Sequence, residues 1–249
     1  MVCIVHGWLP YENRVNGLGI PGSQIKGYER FTGRCSGIAA VSKLQASFVA
    51  AEAPNLAGKM DWFFNGVERR KPIVHVSEGR LVVSVSGGTR PIKRNEIVAA
   101  ACDLIREQGV EVELRVYGRN YAGDKSWRLA PGIRYMGQVE QHEFLQGLAE
   151  TDVFVIASLH ESFGLSAIDA LRAGASLLVS DACGVNDTIA LQDSDIVCNE
   201  ATAEEIAEGI LRLWHRPNAE RLAASIDYER HSWDAAARRV RDICAGSLN

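Results

Sequence analysis

Short apolar runs alternate with helical patterns along almost the whole chain, and this alternation limits the fold more than any other feature. Residues 2–5, 37–42, 60–64, 81–86, 111–118, 133–137, 153–158, 175–180 and 194–198 read as strands. Between them lie helical segments such as 23–34, 43–53, 95–109 and 141–150. In the segment 95–109, Ile97, Val98, Ala101, Leu104 and Ile105 fall on one face before a stop at Gly109. Thr202 followed by Glu205 three positions later reads as a capping box opening the next helix, and two more helices close the chain. Strand, helix, strand in repetition predicts α/β architecture with parallel sheets covered on both faces. Two such sheets are expected, one from an N-terminal unit over residues 1–66 and a fuller one in a domain over 81–230. Residues 67–80 lack periodicity and read as a linker, and 231–249 hold the closing helix. The first unit shows only three strands, fewer than a doubly wound domain usually has, so it reads as an incomplete domain.

The 249 residues carry a net charge of −4, which gives no basic face for nucleic acid or an anionic membrane. No apolar run approaches the roughly 20 residues of a membrane span, and "VCIVHGW" lacks the basic region and length of a signal peptide. The six cysteines form no C-x-x-C pair and have no histidine at metal spacing. They are expected to be mostly buried free thiols of a cytoplasmic protein, with a peripheral place at the inner membrane face as an alternative.

In open parallel sheets, ligands gather at the carboxyl ends of strands, so chemistry is sought in the loops that follow them. After strand 81–86 comes "SGGTRPIKRN", in which Gly87 and Gly88 allow a tight turn and close backbone approach. Arg90, Lys93 and Arg94 then add positive charge suited to phosphate oxygens. It is neither a P-loop nor G-x-G-x-x-G, and a solvated turn with surface cations explains it equally well. After strand 153–158 comes "LHESFGLSAIDALRAG", in which Glu161 precedes a turn that starts a helix. There the N–H groups of Phe163, Gly164 and Leu165, with the neighbouring Ser162, form an anion-favouring helix start. Asp169 lies four residues past Leu165, on the same face. The bland alternative makes Glu161 a capping residue and Asp169 a solvated one. "YGRNYAGD" (117–124) offers Arg119 but has the composition of an ordinary surface loop. His6 follows the first strand, at a carboxyl end; a lone histidine is more often structural. A cationic loop and a helix start converging from neighbouring strand ends suit a pyrophosphate bearing a polyhydroxy group, that is, a nucleotide sugar.

The segment "VFVIASLHESFGLSAIDALRAGASLLVSDACGVND" (153–187) resembles the donor-site segment of retaining GT-B glycosyltransferases of family four, the glycosyl transferases group 1. "IAAVSKLQ" and "FFNGVE" are similar to the family's last N-domain strands, "YMGQV" to its strand-turn near the nucleotide base, and "HSWDAAARRV" to the C-terminal helix that crosses back to the first domain. The resemblance implies a GT-B fold of two Rossmann-like domains, the first incomplete, with an acceptor side and a donor side. It implies that Lys93 binds the donor phosphates, with Arg90 as a second cation, and that Glu161 holds the hydroxyls of the transferred sugar. Ser162, Phe163, Gly164 and Leu165 would lie near sugar and phosphate, Asp169 at the ribose and His6 near the acceptor. No cofactor and no metal are implied; the partners would be a nucleotide sugar and an acceptor that is a glycan, a lipid or a small molecule.

The chain departs from the family pattern in three places. The arginine expected six positions before Lys93 is Gly87, the second glutamate of the motif is the shorter Asp169, and the family's first N-domain strands have no counterpart. Three readings follow. One is a sugar-transferring enzyme, one a non-catalytic nucleotide-sugar-binding module or truncated remnant completed by a partner chain or dimer at its open sheet, and one an epimerase or sugar-phosphate synthase on the same architecture.

Overall fold

The computed structural model describes residues 1–69, 75, 79–121 and 126–246. Most of the expected linker at 67–80, the end of the loop 117–124 and the last residues of the closing helix lie outside the described residues. The strands are β1 (Val2–Val5), β2 (Gly37–Ala40), β3 (Met60–Trp62), β4 (Leu81–Val85), β5 (Val112–Tyr117), β6 (Ile133–Gly137), β7 (Val153–Ile156), β8 (Ser176–Ser180) and β9 (Ile196–Val197). The helices are α1 (Leu9–Asn16), α2 (Gly22–Arg34), α3 (Lys43–Glu52), α4 (Asn95–Glu107), α5 (Gln141–Ala149), α6 (Leu165–Arg172), α7 (Ala203–His215), α8 (Ala219–Ala224) and α9 (Trp233–Gly246).

Two parallel sheets form, as the alternation requires: β1-β2-β3, and the six-stranded β6-β5-β4-β7-β8-β9. The central strands β4, β7 and β8 are buried along their whole length, which is why their sequences are continuous apolar runs rather than alternating ones. α4 and α7 cover one face of the larger sheet, with Val98, Cys102, Ile105, Ile206 and Ile210 in the core. α6 and α8 cover the other, around Phe154, Ile168, Leu171 and Leu222. The chain leaves β4 for β5 on one side and returns to β7 on the other, which makes the carboxyl ends of β4 and β7 the topological switch point.

Several elements differ from the sequence reading. α1 was not foreseen: its apolar periodicity is weak, and it is set by Pro10 in its first turn and by a left-handed Gly17 at its end. β2 stops at Ala40, because Ser42 leaves the sheet to cap α3 by accepting a bond from the Gln45 N–H at 3.0 Å. β9 is only two residues long. All six cysteines are free, but only Cys35, Cys102 and Cys183 are buried. Among the described residues, no helix is long and apolar enough to cross a membrane.

α9 packs back onto β2. Ala236 and Ile243 join Ala39, Val41, Phe63 and Phe163 in one apolar cluster, and Arg239 pairs with Asp61 of β3. A seam between the two sheets also runs past α1 and α3. The Ile92 N–H donates to Asn16 Oδ1 at 3.0 Å and Ser42 Oγ donates to the Ser162 carbonyl at 2.6 Å.

Candidate functional site

The loop after β4 turns on Gly87 (φ 90°) and Gly88 (φ 63°), in the left-handed region that L side chains avoid. A Cβ on Gly88 would collide with the Arg119 carbonyl oxygen, so the loop after β4 and the loop after β5 touch backbone to backbone. The Asn95 amide clamps the turn by donating to the carbonyls of Gly88 at 2.7 Å and Ser86 at 3.1 Å. A single 3-10 turn at Pro91–Lys93 then folds Lys93 back across Gly87, whose missing side chain leaves room for the lysine stem.

The loop after β7 lies beside it, fixed by the Leu159 N–H donating to the Ile92 carbonyl at 2.9 Å. Glu161 is held by its backbone on both sides: its N–H donates to the Ala182 carbonyl and its carbonyl accepts from Gly184, each at 2.9 Å. α6 begins after Gly164 with no side-chain cap, so Glu161 is not its capping residue. Its carboxylate is hydrogen-bonded to the Lys93 ammonium, and both side chains are largely buried. Gly164 (φ 96°) forms the start of α6, with Cys183 Sγ and the Glu161 stem where a side chain would be. Among the described residues, no acceptor is bonded to the backbone N–H of Ser162, Phe163, Gly164 or Leu165. A cation, a carboxylate and a helix start with free donors thus meet at the switch point.

Gly87, Gly88, Lys93, Glu161, Ser162 and Gly164 are brought together. The remaining sequence-derived residues are placed differently. Arg90 donates to the Tyr121 hydroxyl at 2.6 Å and its guanidinium lies 4.8 Å from that ring's centre, so its direction is set by an aromatic partner. Arg94 adopts a left-handed backbone (φ 54°) and donates to the carbonyls of Asn199 and Ala201, a structural tie. The Phe163 side chain is buried in the cluster between the sheets, leaving only its backbone at the site. Leu165 is 43% exposed. Asp169 pairs with Arg172 at 3.2 Å and, with Leu165, Ile168 and Trp233, lines a cavity of 220 Å³ beside α6. His6 is exposed just past β1, and no hydrogen bond ties its ring to another described residue. Arg119 donates to the Gln138 side chain. Among the described residues, no group of three or more His, Cys, Asp or Glu is placed to hold a metal ion.

Residues not singled out from the sequence also shape this region. His160, next to Glu161, shares a hydrogen bond with Gln45 and stacks on Phe48, ring centres 3.9 Å apart. Burial pushes its imidazole down to about 4. Glu12 of α1 is half-buried, and burial raises its carboxyl while the nearby charges of Arg90 and Lys93 work in the opposite direction. The signal available for His160 was a polar ring between a buried strand and an acid; for Glu12 there was none beyond a carboxylate in a helix's first turn.

The family described as glycosyl transferases group 1 matches residues 79–216, more than half of the chain, spanning both loops of the site. The chain belongs to this family. Among curated members, D-inositol 3-phosphate glycosyltransferase of Streptosporangium roseum is 27% identical over 119 residues, covering 47% of this chain and 27% of that protein. The GDP-mannose-dependent alpha-(1-6)-phosphatidylinositol dimannoside mannosyltransferase of Mycobacterium tuberculosis is 28% identical over 146 residues, covering 57% of this chain and 37% of that one. The chain therefore spans well under half the length of these two curated relatives. Among solved structures, Anabaena HepE in complex with UDP and glucose superimposes with a TM-score of 0.74 at 15% identity, over 98% of this chain and 71% of that one. Sucrose-phosphate synthase of Thermosynechococcus elongatus gives 0.76 at 16% identity, over 99% and 67%. At such identities the likeness is one of fold, and the fold is GT-B.

Proposed function

We propose that this group 1 chain binds a nucleoside-diphosphate sugar at the switch point and takes part in transferring the sugar, with retention of configuration and without a metal, to a hydroxyl acceptor. The observation that carries the reading is the Lys93–Glu161 pair set beside the unbonded N–H groups of residues 162–165. On this reading the donor opens the pair. Lys93 turns to the diphosphate, the N–H groups take phosphate or sugar oxygens, and the Glu161 carboxylate accepts bonds from sugar hydroxyls. Asp169, one turn along α6, serves the ribose; Arg90 is a second cation steered by Tyr121; His6 stands on the acceptor side.

In the transfer, the acceptor oxygen forms a bond to the sugar's anomeric carbon as the bond from that carbon to the β-phosphate oxygen breaks. The acceptor's proton passes to the departing phosphate on the same face. Lys93 and the amide donors stabilise the charge that develops on the leaving group. The first unit, residues 1–66, would form the acceptor side and residues 81–230 the donor side. The acceptor, whether glycan, lipid or small molecule, is met across the seam. The cytoplasm, at or away from the inner membrane face, is the proposed location.

Calorimetry with UDP, GDP and ADP in the presence of EDTA tests this. Binding of one of them is expected, UDP being the first to try because HepE holds it. A folded sample that binds none refutes the reading. A second reading, a binding module completed by a partner chain, is favoured by one observation. β1 is the edge of a three-stranded sheet, and its Ile4 is 44% exposed. Turnover of a nucleotide sugar by the isolated chain would exclude it.

A further inference from the structure

Lys93 stands between two residues that are clamped in place. After it, Arg94 is tied by its own side chain to the carbonyls of Asn199 and Ala201. Before it, Ile92 is held at both polar atoms of its backbone. Its carbonyl accepts from the Leu159 N–H at 2.9 Å, and its N–H donates to Asn16 Oδ1 at 3.0 Å. Leu159, Asn199 and Ala201 belong to the unit of the larger sheet, whereas Asn16 comes from the opposite unit. Asn16 is the last residue of α1 and only 4% exposed, and α1 packs against the turn Pro91–Lys93. The left-handed Gly17 ends the helix just after it, which leaves the Asn16 side chain free to reach across the seam.

An amide at this place does little for stability alone. The Ile92 N–H can only donate, so Oδ1 faces it and Nδ2 faces away, where Nδ2 is buried without a partner. The desolvation of that unbonded N–H2 group offsets much of what the bond to Ile92 contributes. What the amide adds, and an apolar side chain of the same size would not, is a fixed place for the Ile92 N–H. Without an acceptor this buried N–H would be left unbonded, and the turn would shift to reach water. Lys93, the next residue, would shift with it. We infer that Asn16 is a positioning residue for Lys93: from the opposite unit it holds the turn that aims the ammonium. It touches neither phosphate nor sugar, and its effect on ligand binding runs through Lys93. The inference rests on the phosphate role proposed above for Lys93, and the two fail separately.

The test is calorimetry on the full chain with whichever of UDP, GDP and ADP it binds. Four proteins are compared: the parent, Asn16→Leu, Lys93→Ala and the double variant. Leucine keeps the volume of asparagine and removes the acceptor; Asn16→Ala replaces it if leucine does not fit, and urea unfolding checks that each sample is folded. Asn16→Leu should weaken nucleoside diphosphate binding about threefold or more, and inorganic pyrophosphate binding by about the same factor. In the Lys93→Ala background the same substitution should leave nucleotide affinity unchanged, because no ammonium remains to be misplaced. Unchanged affinity in Asn16→Leu and Asn16→Ala overturns the inference. So does an equal loss with and without Lys93, which would make Asn16 a structural residue of the seam. Both results leave the donor-site reading intact, because parent binding and the Lys93→Ala loss are measured in the same series. A Lys93→Ala protein that binds as tightly as the parent removes the phosphate role of Lys93, and the positioning role of Asn16 with it.

Discussion

His160 makes the seam between the two sheets sensitive to acid. The ring is 8% exposed, stacked on Phe48 and hydrogen-bonded to Gln45, both on α3. Burial lowers its pKa from 6.5 to about 4; Glu161 and Glu52 oppose the shift and Lys93 adds to it. Between those two values the unfolded chain holds a proton that the folded chain does not, so stability rises with pH through the window. It is complete above about pH 6.5 and is lost as the pH falls toward 4. One pKa unit corresponds to about 1.4 kcal/mol, so the whole window is worth about 3 kcal/mol, and about 2 kcal/mol of it is gone by pH 5. The measurement is urea unfolding of the parent and of His160→Phe at pH 7.5 and pH 5.0. Phenylalanine keeps the stack but cannot titrate, and the carboxylates titrate in both proteins, so the difference between the two pH dependences isolates the histidine. The parent should lose about 2 kcal/mol more than the variant between the two pH values. PH dependences that agree within about 0.5 kcal/mol would show that the ring is hydrated or already protonated at the seam, and would refute the reasoning.

Lys93→Ala should weaken nucleoside diphosphate binding at least tenfold, about 1.4 kcal/mol or more, without unfolding the chain; unchanged affinity by calorimetry would remove the phosphate role. Asp169→Ala should lower nucleoside diphosphate affinity about tenfold and leave inorganic pyrophosphate binding unchanged, as expected of a ribose contact worth about 1.5 kcal/mol. Equal affinity for the nucleotide would take Asp169 out of the site. Gly88→Ala should cost about 3 kcal/mol or more in urea unfolding, because left-handed strain of about 1–2 kcal/mol adds to a collision with the Arg119 carbonyl. Gly17→Ala, with φ 58° and open space around it, should show the strain alone, about 1 kcal/mol. Equal costs at the two glycines would deny the loop-to-loop contact.

The larger sheet was legible because burial on both faces leaves an unmistakable sequence mark. Strands such as Leu81–Val85 and Ser176–Ser180 are short apolar runs bounded by loops, and no helix of that length would be so bounded. The site within it followed from topology: once β4 and β7 are neighbours, the glycine turn and the Glu161 segment must meet. What the pattern could not supply was the direction of each side chain. Arg90, Lys93 and Arg94 are equivalent cations in sequence, yet a 3-10 turn and one left-handed residue send them to Tyr121, to Glu161 and to the carbonyls of Asn199 and Ala201. Phe163 reads as part of a binding turn, and its ring fills the core between the sheets instead.

The contacts across the seam were illegible for a related reason. α1 and α3 bury polar residues, and periodicity counts only apolar ones. Ser42 and Gln45 are fully buried at the seam and are bonded there to residues more than a hundred positions away, Ser42 Oγ to the Ser162 carbonyl and Gln45 Oε1 to His160. Such partners have no trace in local spacing. Yet the same contacts fix where Glu161 stands. Ser42 grips the residue after Glu161 and Gln45 grips the residue before it, so the acid that faces Lys93 is held from both sides by one helix of the opposite unit. A ligand that moves the two sheets apart must move Glu161 relative to α3 as well, which couples opening of the seam to the geometry of the Lys93–Glu161 pair.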